Sequence, residues 1–503
     1  MYRRILNSGV FMAILGFIVL GTWSMASPVG SAADDNFHLA SIWCGTFSEE
    51  CKEDNGNFLV PAETLSGMCN IIWIDRNLDK YNQNARCTTE KTKIYQETDY
   101  INQKNVIYPS LFYNISSIFV SENVQTSVVK IRIFWSVFFL FLTTLIFVNS
   151  DKQIKSAIMI ILILFGIPLM SFLIASTNPS SLQITSIGLL PFAMTSLLRK
   201  NLKSENRAIM FCLTLFLIVT AVGSKPESFI YVAAVIVSAM ILNKDSIEIK
   251  KWAIPSILVF ILSVYAFKVI TMLQEVQKVV TNSAIPLFPF QWKLLVSNLV
   301  NFHEFLAGFW GFYWGLGWKF EPPLNNWLAY FQFITCFLVL IIAFSRIKVV
   351  VDRIVLTFLI IMMISVPIAT LQKGYFKVGD IVQPRYLLPF GIAVSAIVII
   401  AALKNIETDS KNISLFRIFL GGAALLSVAS GINSMWLILV RNVNGLKSNS
   451  IRLNGDSWWW NNLFISPSAT FYIHTVSLLL FAIISLLRLD IFLNVKSKNE
   501  VLK

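Results

Sequence analysis

Asp34 and Asp35 stand four and three residues before His38, so a helix begun there would gather two carboxylates and an imidazole on one face. A partly desolvated carboxylate beside a cationic neighbour can act as a general base or hold a divalent cation such as Mg or Mn. Asp34 and Asp35 are therefore the candidate base or metal ligands, and His38 the group that orients them. Asp35 is favoured as the base. Ser31 or Asp34 could cap the helix, its oxygen accepting free backbone N–H groups, and Asp34 is assigned to capping or metal contact. A second cluster follows far along the chain at Gln383-Pro384-Arg385-Tyr386. The fork of donors on an arginine suits a pair of phosphate oxygens. Lys225, on the tight turn Gly223-Ser224-Lys225-Pro226-Glu227, is a weaker candidate for the same anion. The blander readings are an Arg385 that snorkels to headgroups and a Lys225–Glu227 surface pair worth little. The turn at 176–181 (Ser-Thr-Asn-Pro-Ser-Ser) is polar but not specific.

Aromatic residues crowd 302–327, with Phe309, Trp310, Phe312, Tyr313, Trp314 and Trp318. Tryptophan and tyrosine normally form interfacial belts, and the glycines threading this stretch suggest close helix packing or a re-entrant turn. Stacking of a sugar on exposed tryptophan is the sharper reading, here and at Trp458-Trp459-Trp460. His303 and His474 are read as structural.

The elements that must position these groups are membrane helices. Of 503 residues 55% are hydrophobic and 14% charged, with a mean hydropathy of +0.66, against about 25% charged in a soluble domain. Apolar segments fall at 8–26, 130–149, 156–175, 181–198, 207–223, 227–243, 252–272, 327–345, 351–371, 385–403, 415–440 and 470–487. Each is near the roughly 20 residues that cross a bilayer as a helix. The expected fold is thus an all-α polytopic membrane protein of about twelve transmembrane helices.

Lysine and arginine test that map. With the N-terminus inside, the inner loops carry Lys152 and Lys155, Arg199 to Arg207, Lys244 to Lys251, Arg346 to Arg353, Lys404 to Arg417, and Arg488 onward. The short outer loops carry almost none, as the positive-inside rule requires. Both termini are then cytoplasmic in a plasma-membrane protein. The long connections 27–129, 273–326, 372–384 and 441–469 lie outside. The net charge of +13 is spread over these loops, which argues against a nucleic-acid partner. The N-terminal stretch also describes a cleavable secretory signal, but an uncleaved first helix is preferred.

The organisation expected is a first helix in 1–27, an extracytoplasmic loop domain in 28–129 and helices in 130–272. An aromatic outer loop in 273–326, further helices in 327–490 and a cytoplasmic tail in 491–503 complete it. Four cysteines, Cys44, Cys51, Cys69 and Cys87, fall in the first loop, where two disulfides are expected and three pairings are open. Cys212 and Cys336 lie in apolar segments as buried small hydrophobes. No P-loop or dinucleotide fingerprint is present, which argues against an ATP-driven machine.

At Asp34-Asp35-Asn36-Phe37-His38 and Gln383-Pro384-Arg385-Tyr386-Leu387-Leu388-Pro389 the chain resembles a bacterial membrane family, domain-of-unknown-function family 2142. Tyr108-Pro109-Ser110-Leu111-Phe112-Tyr113 looks like a further family element. The family pattern Pro-Asp-Glu-Pro-x-His is met by Asp34 and His38, with Asp35 for the glutamate and Ala33 and Asn36 in place of the prolines. Gln-Gly-Arg-Tyr is met by Gln383, Arg385 and Tyr386, with Pro384 for the glycine. Members are similar to GT-C glycosyltransferases. The resemblance implies a GT-C-like fold and sugar transfer from a polyprenyl-phosphate lipid to a glycan or lipid acceptor. Asp34, Asp35 and His38 would be catalytic, and Arg385, Lys225, Gln383 and Tyr386 would hold the donor phosphate. Such a donor arrives from within the bilayer and needs no cytoplasmic nucleotide-sugar domain. The rival readings are a transporter or flippase of lipid-linked glycan, for which Lys268 is the main deep ionisable residue, and a surface-polysaccharide polymerase or ligase.

Overall fold

A computed structural model describes residues 9–31, 34–54, 57–65, 95–98, 101, 108–166, 168–199, 202–244, 290–316, 326–380, 382–406, 410–445, 451–454, 460 and 465–499. The elements in chain order begin with α1 (Gly9–Met25), α2 (Asp35–Trp43), β1 (Lys52–Asp54), β2 (Asn57–Pro61), α3 (Ala62–Leu65) and β3 (Tyr95–Thr98). Next come α4 (Leu111–Ser117), α5 (Val124–Asn149), α6 (Lys152–Phe165), α7 (Leu169–Ile174), α8 (Ser180–Leu197), α9 (Ser204–Val222) and α10 (Ser228–Leu242). The rest are α11 (Trp292–Val300), α12 (Phe302–Ala307), α13 (Asn326–Ser345), α14 (Val350–Gly374), α15 (Pro384–Ile406), α16 (Ser410–Asn444) and α17 (Pro467–Asn499).

Among the described residues seven helices, α5, α9 and α13–α17, are long and apolar enough to cross a membrane, and α1 and α10 are shorter apolar helices. The expected span at 156–175 is instead broken into α6 and α7 around Gly166 and Pro168. Proline has no N–H to give the ladder, and its ring clashes with the preceding turn. The expected span at 252–272, with Lys268, lies outside the described residues.

Two helices form the centre. Every residue of α8 is buried, and it packs on α9, α10 and α15. Its hydroxyls explain why it faces protein: a polar group in hydrocarbon needs a protein partner. Ser186 meets Thr220 at 2.8 Å, Ser196 meets Ser150 at 2.8 Å, and Thr185 donates to Ser181 O. α15 is also almost wholly buried, between α6, α8, α13 and α14. On one side α1 packs against α5 and α17, and α16 against α13 and α17.

The first long loop is not purely helical. β1, β2 and β3 form an antiparallel sheet in which Leu59 pairs with both Lys52 and Glu97. A disulfide joins Cys44, at the end of α2, to Cys51. Cys69 and Cys87 lie outside the described residues. Cys336 is buried as expected, but Cys212 is exposed on α9, so the shared reading holds for only one of them.

The described tryptophans of the aromatic stretch are packed core, not a sugar platform, while Tyr313 is 52% exposed. Trp310 is buried, donates to Leu164 O at 2.8 Å and stacks on Phe165, and Trp314 is 2% exposed. Gly308 permits this, since a Cβ there would come within 2.3 Å of Pro384 Cγ, and Gly311 turns the chain at φ 94°. Trp318, Trp458 and Trp459 lie outside the described residues. Trp460 is buried and donates to Met25 O at 2.8 Å.

Candidate functional site

The polar turns that the sequence scatters over some 350 positions meet at one end of the bundle. Asp34 occupies the N-cap position of α2 in the left-handed region, φ 60°, but its side chain makes no capping hydrogen bond. It instead forms an ion pair with Arg385, which Pro384 sets at the start of α15. Proline at a first helical position costs no hydrogen bond, because that N–H would lack a partner anyway. The capping expected of Asp34 is therefore not what this side chain does. Ser31 does not cap either: its hydroxyl donates to Pro28 O at 2.7 Å.

Arg385 is fully buried, which replaces the expectation of a guanidinium snorkelling to headgroups. It also donates to the Tyr386 hydroxyl at 3.1 Å. Lys225 is 2% exposed and donates to Ser180 Oγ at 2.8 Å, with its ammonium 4.9 Å from the centre of the Tyr386 ring and 6.0 Å from that of Tyr108. The expected Lys225–Glu227 surface pair gives way to this arrangement, since Glu227 accepts from Gln183 Nε2 at 3.1 Å. The starts of three helices are tied together around it: Lys225 donates to Ser180 of α8, Gln183 of α8 donates to Ser228 Oγ of α10 at 3.0 Å, and Tyr231 of α10 reaches Tyr386 O of α15 at 3.5 Å. The amide ends of helices attract negative charge.

His38 is buried, with Nδ1 2.9 Å from the Tyr113 hydroxyl and its ring edge-on to Tyr108 at 5.5 Å. Burial, reinforced by Lys225 and Arg385 and opposed by Asp34, holds its pKa down at about 3. It is a neutral imidazole at physiological pH. Burial also disfavours charge on Asp34, but Arg385, His38 and Lys225 outweigh it and keep the carboxyl below the usual carboxylate range. Burial lowers Lys225 to about 8, with Glu227 opposing and Arg385 adding to the fall. Burial, then Tyr386, Glu227 and Asp34, raise Tyr108 well above an ordinary phenol.

Asp35 belongs to a different cluster. It is wholly buried, accepts from Thr177 Oγ1, and lies 3.5 Å from Arg132 Nη2. Arg132 in turn donates to Ser27 O at 2.7 Å and Pro28 O at 3.1 Å, and its guanidinium lies 5.9 Å from the Trp460 ring centre. The two aspartates thus turn to different arginines. No three His, Cys, Asp or Glu side chains gather as metal ligands among the described residues. A divalent cation held between Asp34 and Asp35 does not fit this arrangement, because each carboxylate faces its own arginine.

The structure brings together Asp34, His38, Lys225, Arg385 and Tyr386. Gln383 stands beside them, half-buried, with its backbone oxygen accepting from Tyr386 N at 3.1 Å. Sequence reasoning missed Ser180, Tyr108 and Tyr113 as members, and Thr177 as the partner of Asp35, although the turns that carry them were visible. It also missed Arg132. The available signal was an arginine inside an otherwise apolar helix, where charge is costly and so rarely idle.

Helices of this length and hydropathy, around a buried polar site, define a multi-pass membrane protein. Residues 17–394 match the family model described as a predicted membrane protein, DUF2142. The chain belongs to that family. No curated protein and no solved structure matches it.

Proposed function

We propose that the protein is a GT-C-type membrane glycosyltransferase that moves a sugar from a polyprenyl-phosphate donor to a glycan or lipid acceptor on the outer face. The observation that supports this best is the meeting of Asp34 with Arg385, beside Lys225, at the converging starts of three helices. Two cations and three amide ends suit a phosphate, and a carboxylate within reach of one of them suits a base. Twelve spans with both termini cytoplasmic would put this end of the bundle outside, following the lysines and arginines of the short loops.

The ion pair gives the base a switch. While Arg385 holds Asp34, the carboxylate is a weak base. A donor phosphate taken up by Arg385 and Lys225 competes for the guanidinium and releases Asp34. The acceptor hydroxyl then attacks the anomeric carbon and passes its proton to Asp34. The bond from that carbon to the phosphate oxygen breaks, its electron pair stays on the phosphate, and the sugar inverts. Fixed charges in a dry site stabilise that departing phosphate strongly. His38, neutral and anchored by Tyr113, orients the mouth of the site. Asp35, favoured from sequence as the base, is assigned the positioning of α2, because it is buried against Arg132 and Thr177.

The test is transfer of label from a radiolabelled polyprenyl-phosphate sugar to membranes that carry the cell's own acceptors, using purified protein in nanodiscs. Wild-type protein should move label. Asp34→Asn should lose transfer while still binding donor. Label that only crosses the bilayer, without a new glycosidic product, would replace transfer with the flippase reading.

A further inference from the structure

A cavity of about 120 Å³ lies inside the bundle, away from the site just described. It is bounded by α1, α5, α6, α7, α16 and α17, and small residues line it, among them Gly9, Ala13, Gly16 and Ala482. Three of its four hydroxyls are turned to backbone carbonyls: Thr143 to Phe139 O at 2.7 Å, Ser427 to Ile163 O at 2.7 Å and Ser171 to Gly166 O. The lumen is therefore apolar. A cavity of this size with such a lining stays dry and accepts hydrocarbon.

One end is closed and the other carries charge. One turn beyond Val19 and Leu478, which line the cavity, the rings of Trp23, Phe172 and His474 meet edge-on, with Trp23 5.9 Å from Phe172 and 5.6 Å from His474. At the opposite end Arg488 is the single charged side chain among the described lining residues. Lys152 and Lys155, in the first turn of α6, add positive charge on the same side of the bundle. An arginine at the end of an apolar slot is the pattern that pairs a hydrocarbon chain with an anionic headgroup.

We propose that this cleft binds one acyl chain of an anionic membrane phospholipid, with the headgroup held at Arg488. The site is independent of the Asp34–Arg385 cluster and does not rest on the transfer reaction.

Native mass spectrometry of the purified, delipidated full chain tests this by titration with phosphatidylglycerol and with phosphatidylcholine. Phosphatidylglycerol should bind first and Arg488→Gln should weaken it about fivefold, the usual worth of one basic residue against an anionic headgroup. Ala13→Phe and Ala482→Phe should expel the lipid while Arg488 remains. Equal affinity of wild-type protein for the two lipids overturns the proposal, as does unchanged retention in both filled variants. Wild-type protein supplies a second measurement that needs no variant to fold. Phosphatidylglycerol carrying a mid-chain diazirine should crosslink to peptides around Gly16 and Met159. Label spread over the outer helix faces, with none in the cleft, overturns it.

Discussion

Asp34 and Asp35 are neighbours in sequence and sit in opposite environments. Asp34 is 20% exposed and pairs with an arginine at the start of α15. Asp35 is 0% exposed and meets an arginine of α5 that also donates to the carbonyls of Ser27 and Pro28. The left-handed turn at Asp34 sends adjacent side chains to separate partners. A buried pair with several backbone bonds costs much to break. A pair at the mouth of a site can be opened by a competing anion. One carboxylate is wholly enclosed with its arginine, and the other is partly exposed and is the one the proposed transfer would free.

The largest effect should separate the two in activity. Asp34→Asn should reduce transfer by about 10²- to 10⁴-fold, the usual contribution of a general base, and should cost less stability than Asp35→Asn because Asp34 is 20% exposed and Arg385 keeps the Tyr386 hydroxyl. Wild-type rates in that variant would remove Asp34 from the chemistry.

Asp35→Asn should show the reverse weighting. It leaves Arg132 buried without its carboxylate, which costs about 3–5 kcal/mol when one partner of a buried pair is removed. The check is thermal unfolding in nanodiscs, with Arg132→Met added. The double variant should recover much of the loss. An unstable Asp34→Asn beside a stable Asp35→Asn would invert the assignment.

Donor binding should weaken as pH rises through about 8, where Lys225 gives up its proton. The effect on the fold runs the other way. Lys225 has a folded pKa below its unfolded one, so between about 8 and its ordinary value the unfolded chain binds more protons, and stability rises with pH. Lys225→Arg should abolish the step in binding. His38, held at about 3, should add no titration between pH 5 and 9. Binding titrations of a polyprenyl phosphate across this range would show either pattern.

The smallest expected effect is that of Tyr113→Phe, which removes the partner of His38 Nδ1. A net loss of about 1 kcal/mol for one hydrogen bond predicts a several-fold fall in transfer with little change in donor affinity. A fall as large as that of Asp34→Asn would move His38 into the chemistry itself.

Much of this was legible in the chain. The apolar segments marked α5, α9 and α13–α17 because about 20 apolar residues have few other stable environments. Asp34, Arg385 and Lys225 stood out because charge beside hydrocarbon is expensive. What misled was local reading of side chains. Snorkelling was the bland reading of Arg385 and capping that of Asp34, since each is a favourable local interaction in isolation. The tertiary pair is better satisfied than either. The break at Gly166 and Pro168 was also readable in principle, but average hydropathy over a window does not register one missing N–H.

Composition and periodicity by themselves determined that this is a multi-pass membrane protein, and which turns carry charge. They did so because the bilayer penalises each residue according to its own type, so the information is local. Only the tertiary structure decided which arginine each aspartate meets. That choice depends on helix packing: on Gly308 admitting Pro384, on α8 filling the centre, and on a backbone turn at Asp34. Partners separated by 351 residues have no sequence signature. They are selected because a buried charge must find a counter-charge wherever the fold puts one.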